Sequence, residues 1–244
     1  MKTSAYVKEL QAQSVEQLQA QLVDAKKELL NNIRIVDPYV PGEQPRQKVV
    51  KLNTNENPYP PAPEVKAVFD ELKEDEFRLY PDPTSGKLIK ALADQLKVGE
   101  DQIFVGVGSD DVLSLCFLTF FNSEKPILFP DITYSFYSVW ADLYRIPYEK
   151  QKLDDNMKIV PEDYYKENGG VIFPNPNAPT GLLMDLDSVR DIIEHNKDVV
   201  VIVDEAYIDF GGVSAKDLVN EYDNVLVVQT FSKSRSMAGM RIGY

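Results

Sequence analysis

Short apolar runs alternate with amphipathic segments along most of the chain. Residues 199–203 and 225–228 contain no polar side chain, and such continuous runs are typical of strands buried on both faces of a parallel sheet. The alternation of strand and helix predicts the α/β class with right-handed crossovers. The pattern places strands at residues 48–52, 103–105, 126–129, 170–173, 199–203 and 225–228, and helices at residues 15–30, 63–72, 85–96, 109–121, 133–144 and 186–194.

The first 45 residues differ from the rest because they are polar and rich in Gln. Apolar residues recur there at helical spacing, which predicts an amphipathic helix that packs on the body of the protein or on a partner subunit; they are Val15, Leu18, Leu22, Ala25 and Leu29. The prolines between Pro38 and Pro45 indicate a linker. We therefore predict an N-terminal helix and linker arm at residues 1–45 and a main domain at residues 46–244.

Composition and charge exclude several classes of function. The net charge of −13 argues against a nucleic-acid partner. No apolar run is long enough to span a bilayer and no secretion signal precedes the domain, so we expect a cytoplasmic protein without a membrane partner. Cys116 lies in an apolar run and is expected to be a core thiol. His195 is the single His and has no Cys nearby, so no metal site is expected.

The turn after the last apolar run carries the first candidate for chemistry. Lys233 follows Ser232 at this strand exit, and a Lys in that position can form a Schiff base with a carbonyl compound. Ser232 and Arg241 are residue types that can hold a phosphate. Taken alone, Lys233 is better explained as a solvated loop lysine, so the interpretation depends on the other motifs.

Two earlier turns are compatible with ligand binding and also with a purely structural role. Gly106 to Asp111 joins a predicted strand to a helix, and backbone N–H groups at such a turn can bind an anion. Ser109 and Asp110 equally suit a helix N-cap. Tyr134 follows the strand at residues 126–129, where an aromatic ring can stack on a flat cofactor or pack in the core.

These candidates share one position in the predicted fold. In open α/β sheets the ligand site lies at the carboxyl ends of the strands. Each candidate follows the end of a predicted strand, and the set comprises Ser109, Tyr134, Asn177, Asp204 and Lys233. The sequence therefore predicts a single site at this edge of the sheet.

Seven motifs in this order and spacing identify a resemblance to a known family. They lie at residues 55–59 (NENPY), 108–111 (GSDD), 134–137 (YSFY), 176–181 (PNAPTG), 204–207 (DEAY), 232–233 (SK) and 239–244 (GMRIGY). Over about residues 45–244 the chain resembles the fold-type I, class-II aminotransferases that depend on pyridoxal phosphate, and within them the histidinol-phosphate aminotransferases. The resemblance implies a three-layer α/β/α sandwich with a mainly parallel sheet, a homodimer, and a C-terminal small domain that is missing from this chain.

The resemblance also implies a role for each site residue. Lys233 would bond to the cofactor aldehyde, and Asp204 would keep the pyridine nitrogen protonated. Tyr207 would bind the phenolic oxygen of the ring and Tyr134 would stack on its face. The phosphate would be held by Ser109, the backbone of Asp110, Ser232, Arg241 and, from the neighbouring subunit, Tyr59.

One position departs from the family pattern. The family commonly has Asn immediately before Pro-Thr-Gly, where it donates to the phenolic oxygen, and this chain has Ala178 there, preceded by Asn177. Either Asn177 supplies the contact or Tyr207 supplies it alone.

The reaction implied is ping-pong transamination between L-histidinol phosphate and 2-oxoglutarate, which gives imidazole acetol phosphate and glutamate in histidine biosynthesis. Lys233, Asp204 and Arg241 would serve equally well in an aromatic aminotransferase or a phospho-amino-acid decarboxylase that uses the same cofactor. A third reading is an inactive fragment that acts only as a folding or interaction module. These alternatives stay open at the level of the sequence.

Overall fold

Five parallel strands form the centre of the computed structural model, which describes residues 13–32, 34, 36, 42–43, 46–47 and 49–244. The strands are β1 (Ile127–Pro130), β2 (Tyr148–Gln151), β3 (Val171–Pro174), β4 (Val201–Asp204) and β5 (Val225–Val228). The α-helices are α1 (Val15–Asn32), α2 (Pro63–Glu71), α3 (Gly86–Leu96), α4 (Ser109–Phe120), α5 (Phe136–Tyr144) and α6 (Leu186–His195). Short 3₁₀ helices lie at Glu74–Arg78, Glu100–Gln102, Pro161–Tyr164, Ile208–Phe210, Ala215–Asn220 and Ala238–Met240.

The sheet has the strand order β2-β1-β3-β4-β5. Pairing is in register from Val171 opposite Val201 to Pro174 opposite Asp204, and every strand pair is parallel. The chain moves outward from β1 to β2 and then returns to place β3 on the other side of β1. Such a reversal of strand order opens a crevice at the carboxyl ends of the strands.

Both faces of the sheet are covered by buried side chains. On one face, Phe129 and Ile202 pack with residues of α4 and α5. On the other, Leu128 and Val203 pack with residues of α6. Alternate side chains of a strand point to opposite faces, so a run without polar residues fills both layers. The predicted three-layer α/β/α arrangement is confirmed. Cys116 is the expected core thiol and lies on the face of the sheet that packs with α4 and α5.

Two predicted strands are absent and one strand was not predicted. Residues 49–52 form no strand, and Val50 is 85% exposed. The prediction of a buried strand at residues 103–105 is also wrong, because Phe104 is 56% exposed and the adjoining Gly106 pairs with Gly243 through one isolated bridge. Strand β2 was not predicted because its sequence, Tyr-Glu-Lys-Gln, is polar. It is an edge strand whose side chains mostly contact solvent, and such a strand does not need apolar residues.

The N-terminal helix predicted at residues 15–30 is confirmed as α1, which ends at Asn32. It belongs to the first of two compact units, which divide between Asp37 and Pro38. The linker predicted between Pro38 and Pro45 lies largely outside the described residues. Among the helices that the structure describes, none combines the length and the apolar character needed to cross a membrane.

A groove of about 570 Å³ runs along edge strand β5. Its walls are mainly apolar and include Phe104, Leu115, Phe120, Leu226 and Val227. An edge strand beside exposed apolar side chains is a surface to which another chain can pair. We call this surface the β5 groove.

We expect the 244-residue chain to self-associate through the β5 groove, and Phe104→Lys to weaken that association about tenfold because it places a charge where a Phe ring would be buried. Phe77→Lys is the matched control, since Phe77 is 71% exposed and does not line the groove. Sedimentation velocity over a range of concentrations measures the association constant. Equal constants for the two variants would contradict the prediction.

Candidate functional site

A cavity of about 240 Å³ lies where β3, β4 and β5 end. Its walls are formed by Thr54, Glu56, Ser109, Asp110, Leu113, Tyr134, Pro174, Ala178, Asp204, Ala206, Tyr207, Thr230, Ser232, Lys233, Ala238 and Arg241. Every site residue expected from the sequence lines this cavity except Asn177 and Tyr59. The turns that follow the strands bring these residues together, because parallel strands all end at the same edge of the sheet.

Asp204 is the last residue of β4 and its carboxyl group is almost completely buried. One oxygen, Oδ2, accepts a hydrogen bond from the hydroxyl of Tyr137 at 2.7 Å, and Oδ1 accepts from the backbone N–H of Ala206 at 3.2 Å. Burial raises the pKa of Asp204 from its ordinary value of 3.8 to about 6, although these two donors and the nearby Lys233 act to lower it. A carboxyl group held in this state readily pairs with a cation or with a protonated ring nitrogen.

The neighbouring carboxyl group of Glu205 is also buried, but its hydrogen bonds are structural. It accepts hydrogen bonds from Ser214 Oγ at 2.6 Å, from the N–H of Ala215 at 2.6 Å and from Gln229 Nε2 at 2.8 Å. Glu205 does not line the cavity. Its contacts join the turn after β4 to the loop at residue 214 and the end of β5, so Glu205 supports the site from behind.

Lys233 lies in the turn after β5, with its amine in the cavity. The Nζ atom donates to the backbone oxygen of Thr54 at 3.2 Å and lies 5.5 Å from the ring centroid of Tyr207. The side-chain amide of Asn57 donates to the backbone oxygens of Lys233 and Ser234 at 3.1 and 3.2 Å. The loop at residues 54–57 therefore fixes both ends of the lysine, through its amine and through its backbone.

One part of the cavity wall offers groups suited to an anion. Helix α4 begins at Ser109, and a helix N-terminus carries partial positive charge. Arg241 lies against it and donates from Nη2 to the backbone oxygen of Val107 at 3.4 Å. Gly108 makes this approach possible, because a Cβ at that position would lie 2.4 Å from Arg241 Nη2. Ser232 lines the same cavity.

Tyr134 and Asp110 are joined at one side of the cavity. The Tyr134 hydroxyl donates to Asp110 Oδ1 at 2.9 Å. Its ring packs edge-to-face with Tyr137 at 5.8 Å between centroids. Tyr134 thus combines both sequence-based interpretations, since its ring adjoins the aromatic core and it also lines the cavity.

Asn177 and Tyr59 occupy other positions. The Asn177 side chain is buried away from the cavity, where Nδ2 donates to the backbone oxygen of Ile132 at 3.0 Å and Oδ1 accepts from Thr133 Oγ1 at 3.1 Å. Asn177 therefore holds the turn after β1, and Ala178 lines the cavity instead. Tyr59 is 75% exposed and does not line the cavity.

Sequence reasoning missed three functional neighbours. From the sequence, Tyr137 is interpreted as a core aromatic residue. The one sequence feature that points to a place near the site is its position one helical turn after Tyr134. Asn55 donates to the Tyr207 hydroxyl at 2.9 Å across a separation of 152 residues. Glu56 lines the cavity and pairs with Lys51 at 2.8 Å. The richness in Asn of residues 53–57 is the signal that such a loop binds backbone groups elsewhere.

The arrangement brings together an amine, a buried carboxyl group and an anion-binding wall. Such a set can bind the phosphate of a phosphorylated carbonyl compound at the anion-binding wall and can bond to its carbonyl group through the amine. The buried carboxyl group can pair with a further polar group of the same compound. In the part of the chain that the structure describes, no group of three or more His, Cys, Asp or Glu side chains could hold a metal ion.

Comparison with known proteins relates this geometry to a family. The model of the family described as aminotransferase class I and II matches residues 47–244. The chain is 54% identical over 215 residues to the histidinol-phosphate aminotransferase of Clostridium beijerinckii, which covers 88% of this chain and 60% of that protein. It is 53% identical over 214 residues to the same enzyme of Lactococcus lactis subsp. cremoris, covering 87% and 60%. The chain thus spans about 60% of the length of these curated relatives.

Solved structures of lower identity share the fold. The histidinol-phosphate aminotransferase of Sinorhizobium meliloti, in complex with pyridoxal-5'-phosphate, is similar with a TM-score of 0.71, at 23% identity, over 78% of this chain and 54% of that one. The enzyme of Clostridium acetobutylicum gives a TM-score of 0.67, at 24% identity, over 78% and 58%. At these identities the likeness establishes the architecture.

Proposed function

The chain belongs to the family of class I and II aminotransferases, and from that membership we propose that it uses pyridoxal phosphate in transamination between L-histidinol phosphate and 2-oxoglutarate. The products are imidazole acetol phosphate and glutamate, which places the reaction in histidine biosynthesis. The names of the relatives support histidinol phosphate as one of the two substrates. The single observation that carries the proposal is that the Lys233 amine and the buried Asp204 carboxyl line one cavity.

The residues of the cavity fit pyridoxal phosphate. The cofactor has an anionic phosphate, an aldehyde and a basic ring nitrogen, and the cavity offers a matching group for each. Arg241 and the start of α4 at Ser109 suit the phosphate, and Gly108 leaves room for the guanidinium group. Lys233 is the amine for the aldehyde, and the buried Asp204 is the acid for the nitrogen.

When bound, pyridoxal phosphate supplies an aldehyde that bonds to amines and a ring that withdraws electrons from the substrate. Lys233 would be the residue that holds it covalently. The Nζ atom of Lys233 would also act as the base that takes a proton from the substrate Cα and as the acid that returns it on the other side of the reaction. The contact with Thr54 keeps that amine inside the cavity.

Asp204 provides the electrostatic contribution. Its carboxylate is desolvated and therefore interacts strongly with a protonated ring nitrogen. Holding that proton in place keeps the ring electron-deficient, which stabilises negative charge at the substrate carbon. We assign Tyr207 to the phenolic oxygen without Asn177, because Tyr207 lines the cavity and Asn177 does not.

The remaining roles follow the same proposal. Tyr134 would stack on the ring, and the phosphate would be held by Ser109, the backbone of Asp110, Ser232 and Arg241. We propose that the protein works as a cytoplasmic homodimer in which the exposed Tyr59 reaches the phosphate in the neighbouring subunit. The substrates would then bind at a site that two chains complete.

Reduction with borohydride tests this function directly. The protein is incubated with pyridoxal phosphate, reduced, digested and analysed by mass spectrometry. We expect a yellow absorbance before reduction and one stable adduct, on Lys233. Lys216→Ala is the matched control and should keep the adduct, because Lys216 lies outside the cavity. An adduct predominantly on another lysine would refute the assignment.

A further inference from the structure

Tyr137 makes a contact for which neither the sequence motifs nor the proposed roles account. Its hydroxyl donates to Asp204 Oδ2 at 2.7 Å, and both side chains are buried. Tyr137 does not itself line the cavity, whereas Asp204 does. Tyr137 can therefore affect a ligand only by acting on Asp204.

The position of the Tyr137 hydroxyl is fixed by packing. Tyr137 is on α5, and its ring is fully buried. It lies 5.9 Å from the Phe129 ring, 6.2 Å from the Phe117 ring and 5.8 Å from the Tyr134 ring, measured between centroids. A donor held by close-packed rings cannot follow a moving acceptor, so the carboxyl group must orient to it.

Together, the two donors fix the plane of the Asp204 carboxyl group. Tyr137 holds Oδ2, and the N–H of Ala206 holds Oδ1. Without the Tyr137 hydroxyl, Oδ2 would lose its charged-group hydrogen bond in a buried site, which is costly. The carboxyl group would then rotate or take up a proton.

We propose that Tyr137 is a positioning residue of the reaction: its hydroxyl orients the Asp204 carboxylate and keeps it ionised for a protonated ring nitrogen in the cavity. This inference rests on the proposed function, because the ring nitrogen belongs to the proposed cofactor. Tyr137 does not touch the substrate or the reacting atoms in this role.

Several groups around Asp204 raise or lower its pKa, and they determine how the pKa should change when one of them is removed. Burial raises its pKa, Asp110 on α4 raises it further, and Lys233 after β5 lowers it together with Tyr137 and the Ala206 N–H. Tyr134, which precedes α5, adjoins the same cluster and donates a hydrogen bond to Asp110. Removing the Tyr137 hydroxyl deletes one lowering contribution, so the pKa of Asp204 should rise.

The test is Tyr137→Phe, which keeps the ring and removes the hydroxyl. In ligand-free protein labelled with ¹³C at Asp carboxyl groups, the resonance absent from Asp204→Asn reports the titration of Asp204. We expect its pKa to rise by about one unit, as for loss of one hydrogen bond to a charged group. In the loaded enzyme, the acid limb of the kcat profile should move upward in the same direction.

Tyr144→Phe is the matched control on the same helix. It also removes a hydroxyl, one that forms a hydrogen bond of 2.6 Å with Ser114 Oγ. We expect the titration of Asp204 and the kcat profile of this variant to match those of the wild type. Equal titrations in Tyr137→Phe and Tyr144→Phe would overturn the proposal.

Incorporation of 3-fluorotyrosine at position 137 covers the case in which Tyr137→Phe fails to fold. The fluorinated phenol is a stronger donor, so the pKa of Asp204 should fall, and an unchanged or raised pKa would overturn the proposal. The ligand-free titration also separates two failures. An unchanged titration refutes the role of Tyr137 even in an active enzyme, whereas a shifted titration in a protein that never binds pyridoxal phosphate refutes the proposed function.

Discussion

Lys233→Ala is expected to abolish covalent retention of pyridoxal phosphate and to lower transamination on the order of 10⁴-fold, because one side chain supplies both the amine that bonds to the aldehyde and the base that moves the proton. The loss should appear in kcat, since the phosphate and ring contacts of the cavity do not involve this amine. Stopped-flow measurement of each half-reaction separates the chemical step from binding.

The fold should tolerate this substitution. The Lys233 amine makes one hydrogen bond, to Thr54, and lies over the Tyr207 ring at 5.5 Å. The backbone around it is held independently by Asn57. The melting temperature should therefore stay close to that of the wild type, with Lys216→Ala as the control. Turnover within tenfold of the wild type would show that Lys233 is not the catalytic amine.

The strands predicted most accurately are those buried on both faces. β5 matches its predicted bounds, and β3 and β4 each end one residue beyond the prediction. Two layers of side chains cover these strands, so their sequences are continuous apolar runs that predict buried strands. β2 has solvent on much of its surface, so its sequence carries no apolar signal. Residues 103–105 carry the signal but form no strand in the structure, and the adjoining Gly106 makes one isolated bridge, to Gly243.

The site was predictable to the extent that strand ends determine it. A residue such as Asp204 or Lys233 can be placed from its position after a strand, because topology brings the ends together. The contacts that tune those residues depend on pairs far apart in the chain. Tyr137 and Asp204 are 67 residues apart, and Asn57 and Lys233 are 176 apart. Propensity and spacing do not encode such pairs, and tertiary packing creates them.

Asn177 is a second residue whose contacts the sequence does not specify. Its place next to Ala178 made it a candidate for the missing amide. The structure instead uses its side chain to bind Ile132 and Thr133 in the neighbouring turn. A buried amide satisfies its donors and acceptor where the local backbone offers partners. Which partners these are depends on the course of the turn after β1, which the motif does not specify.

Asp204→Asn is expected to have opposite effects on activity and on stability. Transamination should fall about 10²–10³-fold, because a neutral amide cannot hold the proton on the ring nitrogen and the developing negative charge loses its stabilisation. Cofactor should still bind, since Lys233 and the phosphate contacts remain. Half-reaction kinetics and a binding titration measure these two quantities separately.

The ligand-free variant should be more stable than the wild type at neutral pH. Burial raises the folded-state pKa of Asp204 from 3.8 to about 6. The stability linked to its proton is therefore fully present below pH 4 and is lost as the pH rises through 6. Asn carries no charge to desolvate, and its single amide oxygen can accept from Tyr137, but its Nδ2 group then faces the Ala206 N–H, which offsets part of the gain. The variant should therefore gain roughly 1 kcal/mol at pH 7. This gain should disappear at pH 4.

Asp198→Asn is the matched control, because Asp198 lies just before the start of β4 and is exposed. Urea denaturation at pH 4 and pH 7 should give the same change in unfolding free energy for this control at both values. A buried group that serves a ligand commonly destabilises the ligand-free protein, so the pattern distinguishes a functional carboxylate from a structural one. If Asp204→Asn lowered stability at pH 7 and left turnover unchanged, Asp204 would be a strand-end cap and the electrostatic role assigned to it would be wrong.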